Sequence, residues 1–220
     1  MSPQSSVVLE VFGEGKTDLG KASAGPEPPS RGVVPILVHT LCGRPHEMRV
    51  VRKPYQFLVG KGLWQKVRFA KRQARYNASA GAVFVMDSEG GPKESAAKRT
   101  QLEHGRDHEL PDFPMAVGVA HLCIEAWLLA DAKAIQKAFA LPQVPQVPPE
   151  PEKCPAPCHD KGSNPKAVLA RAAGLQRPLS ADNKDGIARA MNDMDLVCER
   201  CPEGFAPFAD EVRTRIRPLF

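Results

Sequence analysis

Ala82-Val83-Phe84-Val85-Met86-Asp87-Ser88-Glu89-Gly90-Gly91 is the stretch on which the fold turns. Its apolar half is short and uninterrupted, and glycines close it. That pattern is a strand buried on both faces, the kind that parallel sheets are built from. Residues 6–12, Ser-Val-Val-Leu-Glu-Val-Phe, repeat the pattern as a first strand and leave through Gly13-Glu14-Gly15-Lys16-Thr17-Asp18. Met115 to Leu122 is a further buried strand, and Met48 to Arg52 alternates weakly, as a strand nearer an edge does. Helical spacing fills the intervals at 33–41 with Gly43 as a stop, at 61–76, at 93–104 and at 124–138. Strands alternating with helices predict an α/β fold, a mainly parallel sheet with helices on both faces.

Beyond that core the composition changes. Residues 141–158 hold seven prolines in eighteen positions, which reads as a loop or semi-rigid spacer. Ser163 or Asn164 can then cap a helix that has Pro165 at its first position and Gly174 at its end. Further helices are expected over 185–197 and 207–217. The chain therefore divides into an α/β core at 1–140, a proline-rich loop at 141–163 and a helical C-terminal region at 164–220 that packs on the core.

The 220 residues suit one compact unit of this kind, and 42% apolar content is enough for its core. No apolar run approaches the roughly 18 residues of a membrane span. The first residues lack a basic flank followed by an apolar stretch, which argues against a secretory signal. Six cysteines without such a signal point to reduced thiols and a cytoplasmic setting, and Cys42 and Cys123 sit in apolar runs as small core residues. A net charge of +5 permits a nucleic-acid partner without demanding one.

Ligands in parallel sheets collect at the carboxyl ends of strands. Three places qualify: Glu14, the Asp87/Glu89 pair, and the turn from His121 to Glu125. Carboxylates within about 4–6 Å of one another repel and are driven toward protonation, and a divalent cation relieves that repulsion. Hard oxygen ligands suit Mg²⁺ or Mn²⁺, which stabilise charge on a phosphoryl oxygen and activate water. Taken singly, each acid reads as a turn or capping residue; taken together they point to a metal site.

The order of these pieces resembles the Toprim superfamily, whose members include topoisomerases, bacterial primases and nucleases associated with OLD-type ATPases. Glu14-Gly15-Lys16-Thr17-Asp18 matches its first motif, and Asp87-Ser88-Glu89 matches its Asp-x-Asp with the second acid longer by one methylene. Ile124 to Asp131 (Ile-Glu-Ala-Trp-Leu-Leu-Ala-Asp) and Asn164-Pro165-Lys166 resemble blocks of a small bacterial Toprim-like family. The resemblance covers most of residues 7–210. It implies metal-dependent phosphodiester chemistry, with a role in defence against phage or mobile DNA. It also implies that Glu14 is general acid/base, that Asp87 and Glu89 hold metal with Glu14, and that Glu125 is an additional ligand. Asp18 reads as a helix N-terminal acid, Asp131 as a solvated surface residue, and Lys16 as a phosphate contact or a solvated turn lysine.

Other signals weigh less. Gly15-Lys16-Thr17 lacks the P-loop glycine, since Glu10 occupies its position, so ATPase activity of that type is rejected. Cys154, Cys158, Cys198 and Cys201, with His159, have the residue types of a structural zinc site, against unmetallated thiols. The helix over 61–76 carries Lys66, Arg68, Lys71, Arg72 and Arg75 with no acid, a side that could track a phosphate backbone; Lys166 joins Lys66, Lys71, Arg72 and Arg75 as a nucleic-acid contact. Trp64, Phe69 and Tyr76 read as core or edge packing. The main expectation is a metal-dependent nuclease. The alternatives are a non-catalytic sensor or subunit beside a separate ATPase, and a zinc-stabilised structural protein.

Overall fold

A computed structural model describes residues 6–20, 26, 31–43, 48–155 and 162–220. Four strands, β1 (Val7–Gly13), β2 (Met48–Pro54), β3 (Gly81–Asp87) and β4 (Met115–Ala120), form an all-parallel sheet in the order β2-β1-β3-β4. β2 is the expected edge strand, where the terminal Pro54 interrupts no inner ladder. After β1 come the short α1 (Lys16–Leu19) and α2 (Val33–Cys42), whose left-handed C-cap is Gly43 at φ 68°. Helices α3 (Leu63–Tyr76) and α4 (Pro92–Asp107) follow β2 and β3.

Alternation along the strands builds two cores. Leu9, Val11, Val83 and Val85 face α2 and the C-terminal helices. Phe12, Phe84, Met86 and Val117 face Val67, Ala70 and Ala74 of α3 and Leu102 of α4. Helices α2 and α3 thus lie on opposite faces, and β1 and β3 are the neighbours between which the chain changes direction. A crevice at such a switch point, outside the carboxyl ends of the strands, is where α/β sheets bind ligands.

The expected helix over 124–138 is two: α5 (Ile124–Leu129) and α6 (Ala132–Phe139). Asp131 separates them. It is buried rather than solvated, and it caps α6 by accepting the Ala134 N–H at 2.9 Å. After α7 (Pro165–Ala172), capped by Asn164 as expected, the stretch read as one helix over 185–197 also divides. Ser180 starts α8 (Ala181–Ala190) with a capping box, and Asp193 caps α9 (Met194–Arg200). The last helix, α10 (Phe205–Glu211), runs on into a π-turn over Val212–Ile216.

The block around α5 ties core to C-terminus. Trp127 stacks on Phe208, with ring centroids 5.3 Å apart and planes at 12°, and meets Phe205 edge-on. Gly118 of β4 gives Phe208 its room, since a Cβ there would stand 2.6 Å from the ring. The proline-rich segment is pinned where it is described, at Pro148, Pro149 and Glu152. Arg200 donates to the carbonyls of Ala130, Pro149 and Pro148 at 2.8, 3.0 and 3.2 Å. Buried Glu152 accepts the N–H groups of Glu203 and Gly204 at 2.7 and 2.8 Å.

Candidate functional site

Phe12 pairs with Phe84, so Glu14 and Asp87, two and three residues further along adjacent strands, emerge at one end of the switch point. Asp87 in turn lies level with Ala120, which brings the turn after β4 alongside. That turn and the turn after β3 lock together. Ser88 donates its N–H to Ala120 O and accepts the Leu122 N–H on its hydroxyl, at 2.9 and 2.8 Å; Glu89 donates to Leu122 O at 2.9 Å. Glu89 and Leu122 both adopt left-handed backbone, φ 55° and 65°, a strained choice for side chains with a Cβ. The cross-bonds through Ser88 hold that strain in place. They also aim Asp87, whose Oδ1 accepts the Ile124 N–H at the start of α5 at 3.0 Å.

Acids surround this point. Burial first, then the charges of Asp18, Glu125 and Glu14, push Asp87 well above the usual carboxylate range. Asp18 is raised to about 6, by burial and then by Glu125 and Glu14. It is therefore a buried member of the cluster, beyond the helix-terminal role its position suggests. Glu125 differs: burial would raise it, but Lys184 and then Lys166 hold it below the ordinary glutamate value. Lys184, on α8, forms a buried ion pair with Glu125 Oε1, while Glu125 Oε2 is buried with no hydrogen-bond partner among the described residues.

Two further groups complete the rim. The Tyr55 hydroxyl donates to Glu14 Oε1 at 2.7 Å, and burial, that bond and the nearby Asp87 and Glu89 charges keep it protonated. Desolvation works against the Lys166 charge, but Glu125, Asp87 and Glu89 together hold its pKa above the ordinary lysine value. Glu14, Asp18, Asp87, Glu89 and Glu125 thus share one electrostatic neighbourhood with Lys166. Among the described residues, no three His, Cys, Asp or Glu side chains stand close enough together to ligate an ion as they are. The acids are gathered in charge but not in ligand geometry. A hollow of about 430 Å³ opens beside Glu14 and Gly15, with Arg52 and Phe57 on its walls.

The basic helix is more divided than its sequence. Lys66 lies over the Tyr55 ring, 5.4 Å from its centroid, and so borders the site. Arg75 is exposed, and Arg72 is half exposed and paired with Glu109. Lys71 is not a backbone contact: it is buried, and its Nζ donates to Arg106 O at 2.6 Å. Phe69 and Tyr76, expected as packing residues, are exposed. Lys16 begins α1, and its side chain is outside the described residues, as are Cys158 and His159. Of the other cysteines, Cys201 is buried with Sγ 3.5 Å from Ala126 O, and burial raises the thiol pKa of Cys154, Cys198 and Cys201.

No known family, curated protein or solved structure matches the chain. No described helix is long and apolar enough to cross a membrane.

Sequence reasoning named Glu14, Asp87, Glu89, Glu125 and Lys166, and the structure places them in one neighbourhood. It missed Lys184, Tyr55 and the bracing role of Ser88. Ser88 alone carried a signal, as the residue between two acids directly after a buried strand.

Proposed function

We propose that this chain is a Toprim-like phosphodiesterase that cleaves nucleic acid with Mg²⁺ or Mn²⁺. One observation carries the reading: burial first, and then the charges of Glu125 and Glu14, raise both Asp18 and Asp87 at the switch point, and the charge of Asp18 raises Asp87 further. A cluster that disfavours its own ionisation gains from a cation. Asp87, Glu89, Glu125 and Glu14 are the residues to hold it. A divalent ion there would supply charge stabilisation at a phosphoryl oxygen and a water of lowered pKa. Tyr55 fixes the Glu14 carboxylate at one oxygen, and Glu14 acts as general acid/base. Lys166 meets a phosphate, and Lys184 keeps Glu125 ionised inside the fold.

The test is incubation of the purified chain with DNA and RNA panels and Mn²⁺. Cleavage is expected, with a loss of a hundredfold or more in Asp87→Asn and Glu14→Gln, in line with the usual scale of acid–base and metal contributions. Absence of cleavage, or cleavage untouched by those changes, would overturn catalysis at this site. A second reading is a non-catalytic subunit working beside a separate ATPase, which needs no ion held by the acids; no three of the described ones stand close enough together to ligate one. That reading predicts no divalent-ion affinity in the isolated chain and co-purification of the ATPase. A structural zinc on Cys154, Cys158, Cys198 and Cys201 is a separate proposal; metal analysis of wild type and Cys201→Ser tests it. The biological setting proposed is phage or mobile-element defence in the cytoplasm.

A further inference from the structure

Helix α3 buries Val67, Ala70 and Ala74 and turns a second stripe outward. Phe69, Arg72 and Tyr76 follow one another at helical spacing along it. Tyr76 is 90% exposed and Phe69 41%. Across from them, after the 3₁₀ turn over Tyr55–Phe57, Phe57 is 84% exposed and Val59 67%. These side chains line a single groove of about 350 Å³ with Arg72 at its side. Scattered exposed apolar residues need no explanation, but a contiguous set with three aromatic rings does.

Charge and continuity select the occupant. No acid occurs in α3; Arg72, half exposed and paired through its Nε with Glu109, lines the groove, and Arg75 is exposed one residue before Tyr76. Phe57 lines both this groove and the hollow that holds Glu14, so its ring is the border the two share. An acidic protein would satisfy the arginines but brings no phosphodiester to the acid cluster. A duplex satisfies them too, yet keeps its base faces stacked inside. Unpaired bases present π-faces to aromatic rings while the phosphates meet arginine.

We propose that Phe57, Phe69 and Tyr76 form a stacking platform for the unpaired bases of a single-stranded nucleic acid. Arg72 and Arg75 hold its phosphates, and the strand is led past Phe57 toward Glu14. This inference rests on the reading of the acid cluster as a phosphodiester site and names that site's substrate form.

Fluorescence anisotropy of the full chain in EDTA tests it, with labelled oligodeoxythymidylate, oligouridylate and a duplex of equal length. Single strands should bind at least tenfold more tightly than the duplex. Phe57→Ala and Tyr76→Ala should each weaken single-strand binding about tenfold, the scale of one lost stacking contact, while Tyr76→Phe retains it. The two single strands distinguish DNA from RNA. Equal binding by the alanine variants and wild type would overturn the platform, as would equal binding of duplex. So would a wild-type dimer that Phe57→Ala converts to monomer, since a second copy would then cover the patch. Asp87→Asn separates the two readings. A wild-type chain that shows the expected binding but cleaves nothing keeps the platform and sinks the nuclease. A chain that cleaves single strands equally well with Phe57→Ala and Tyr76→Ala, while Asp87→Asn stops cleavage, keeps the nuclease and sinks the platform.

Discussion

Lys184 of α8 is ion-paired with Glu125 of α5, both side chains more than nine-tenths buried. Breaking such a pair from one side leaves a charge inside the fold with no compensation. Lys184→Met should therefore cost roughly 3–5 kcal/mol at pH 7. Part should return in the double variant Lys184→Met with Glu125→Gln. Urea denaturation of wild type, Lys184→Met, Glu125→Gln and the double variant measures both.

Asp18 and Asp87 make a second, opposite prediction. The folded-state pKa of Asp18 is raised from 3.8 to about 6, so the folded state binds a proton that the unfolded state has already released. Its stabilisation is full below pH 3.8 and is lost as pH rises through about 6. At 1.36 kcal/mol per unit, the loss is at most about 3 kcal/mol. Thermal melts of metal-free protein should show Tm falling across that window, Asp18→Asn should flatten the fall, and Mn²⁺ should offset it at the upper end.

Gly118 makes room for the aromatic cluster that joins the sheet to the C-terminal helices. A methyl group there meets the Phe208 ring at 2.6 Å, too close for either to stay. Gly118→Ala should destabilise by about 1–3 kcal/mol, the usual cost of overpacking. Phe208→Leu in the same chain should recover some of it, read as a non-additive double-mutant cycle.

Glu152 anchors the proline-rich segment through two backbone N–H groups. Glu152→Ala leaves both donors unpaired, at about 1–3 kcal/mol for each that stays buried. Limited proteolysis should then cut within residues 141–155 at protease levels the wild type resists.

What the sequence discloses and what it hides have physical reasons. The strands were legible because β-branched apolar runs bounded by glycine have few other uses. Glu14, Asp87 and Glu125 were legible because each stands at the end of such a strand or in the turn that leaves it. Lys184 and Asp185 were not: Asn-Lys-Asp-Gly reads as a solvated helix face, and both are buried only because Glu125 and the Gly32 N–H arrive from 59 and 153 residues away. Lys71 misled for the converse reason. It stands among exposed cations, and only the Arg106 carbonyl from the neighbouring helix takes it inside. Asp131 shows a local signal outweighed, since a helical pattern of apolar residues ran through a capping aspartate.

Titration calorimetry with Mn²⁺ on the full chain tests the central claim most directly. A shared cation pocket predicts saturable binding at pH 7.5 that Asp87→Asn and Glu14→Gln each weaken at least tenfold, with protons released as the raised carboxyls of Asp18 and Asp87 ionise. Absence of binding, or binding indifferent to both substitutions, would contradict it.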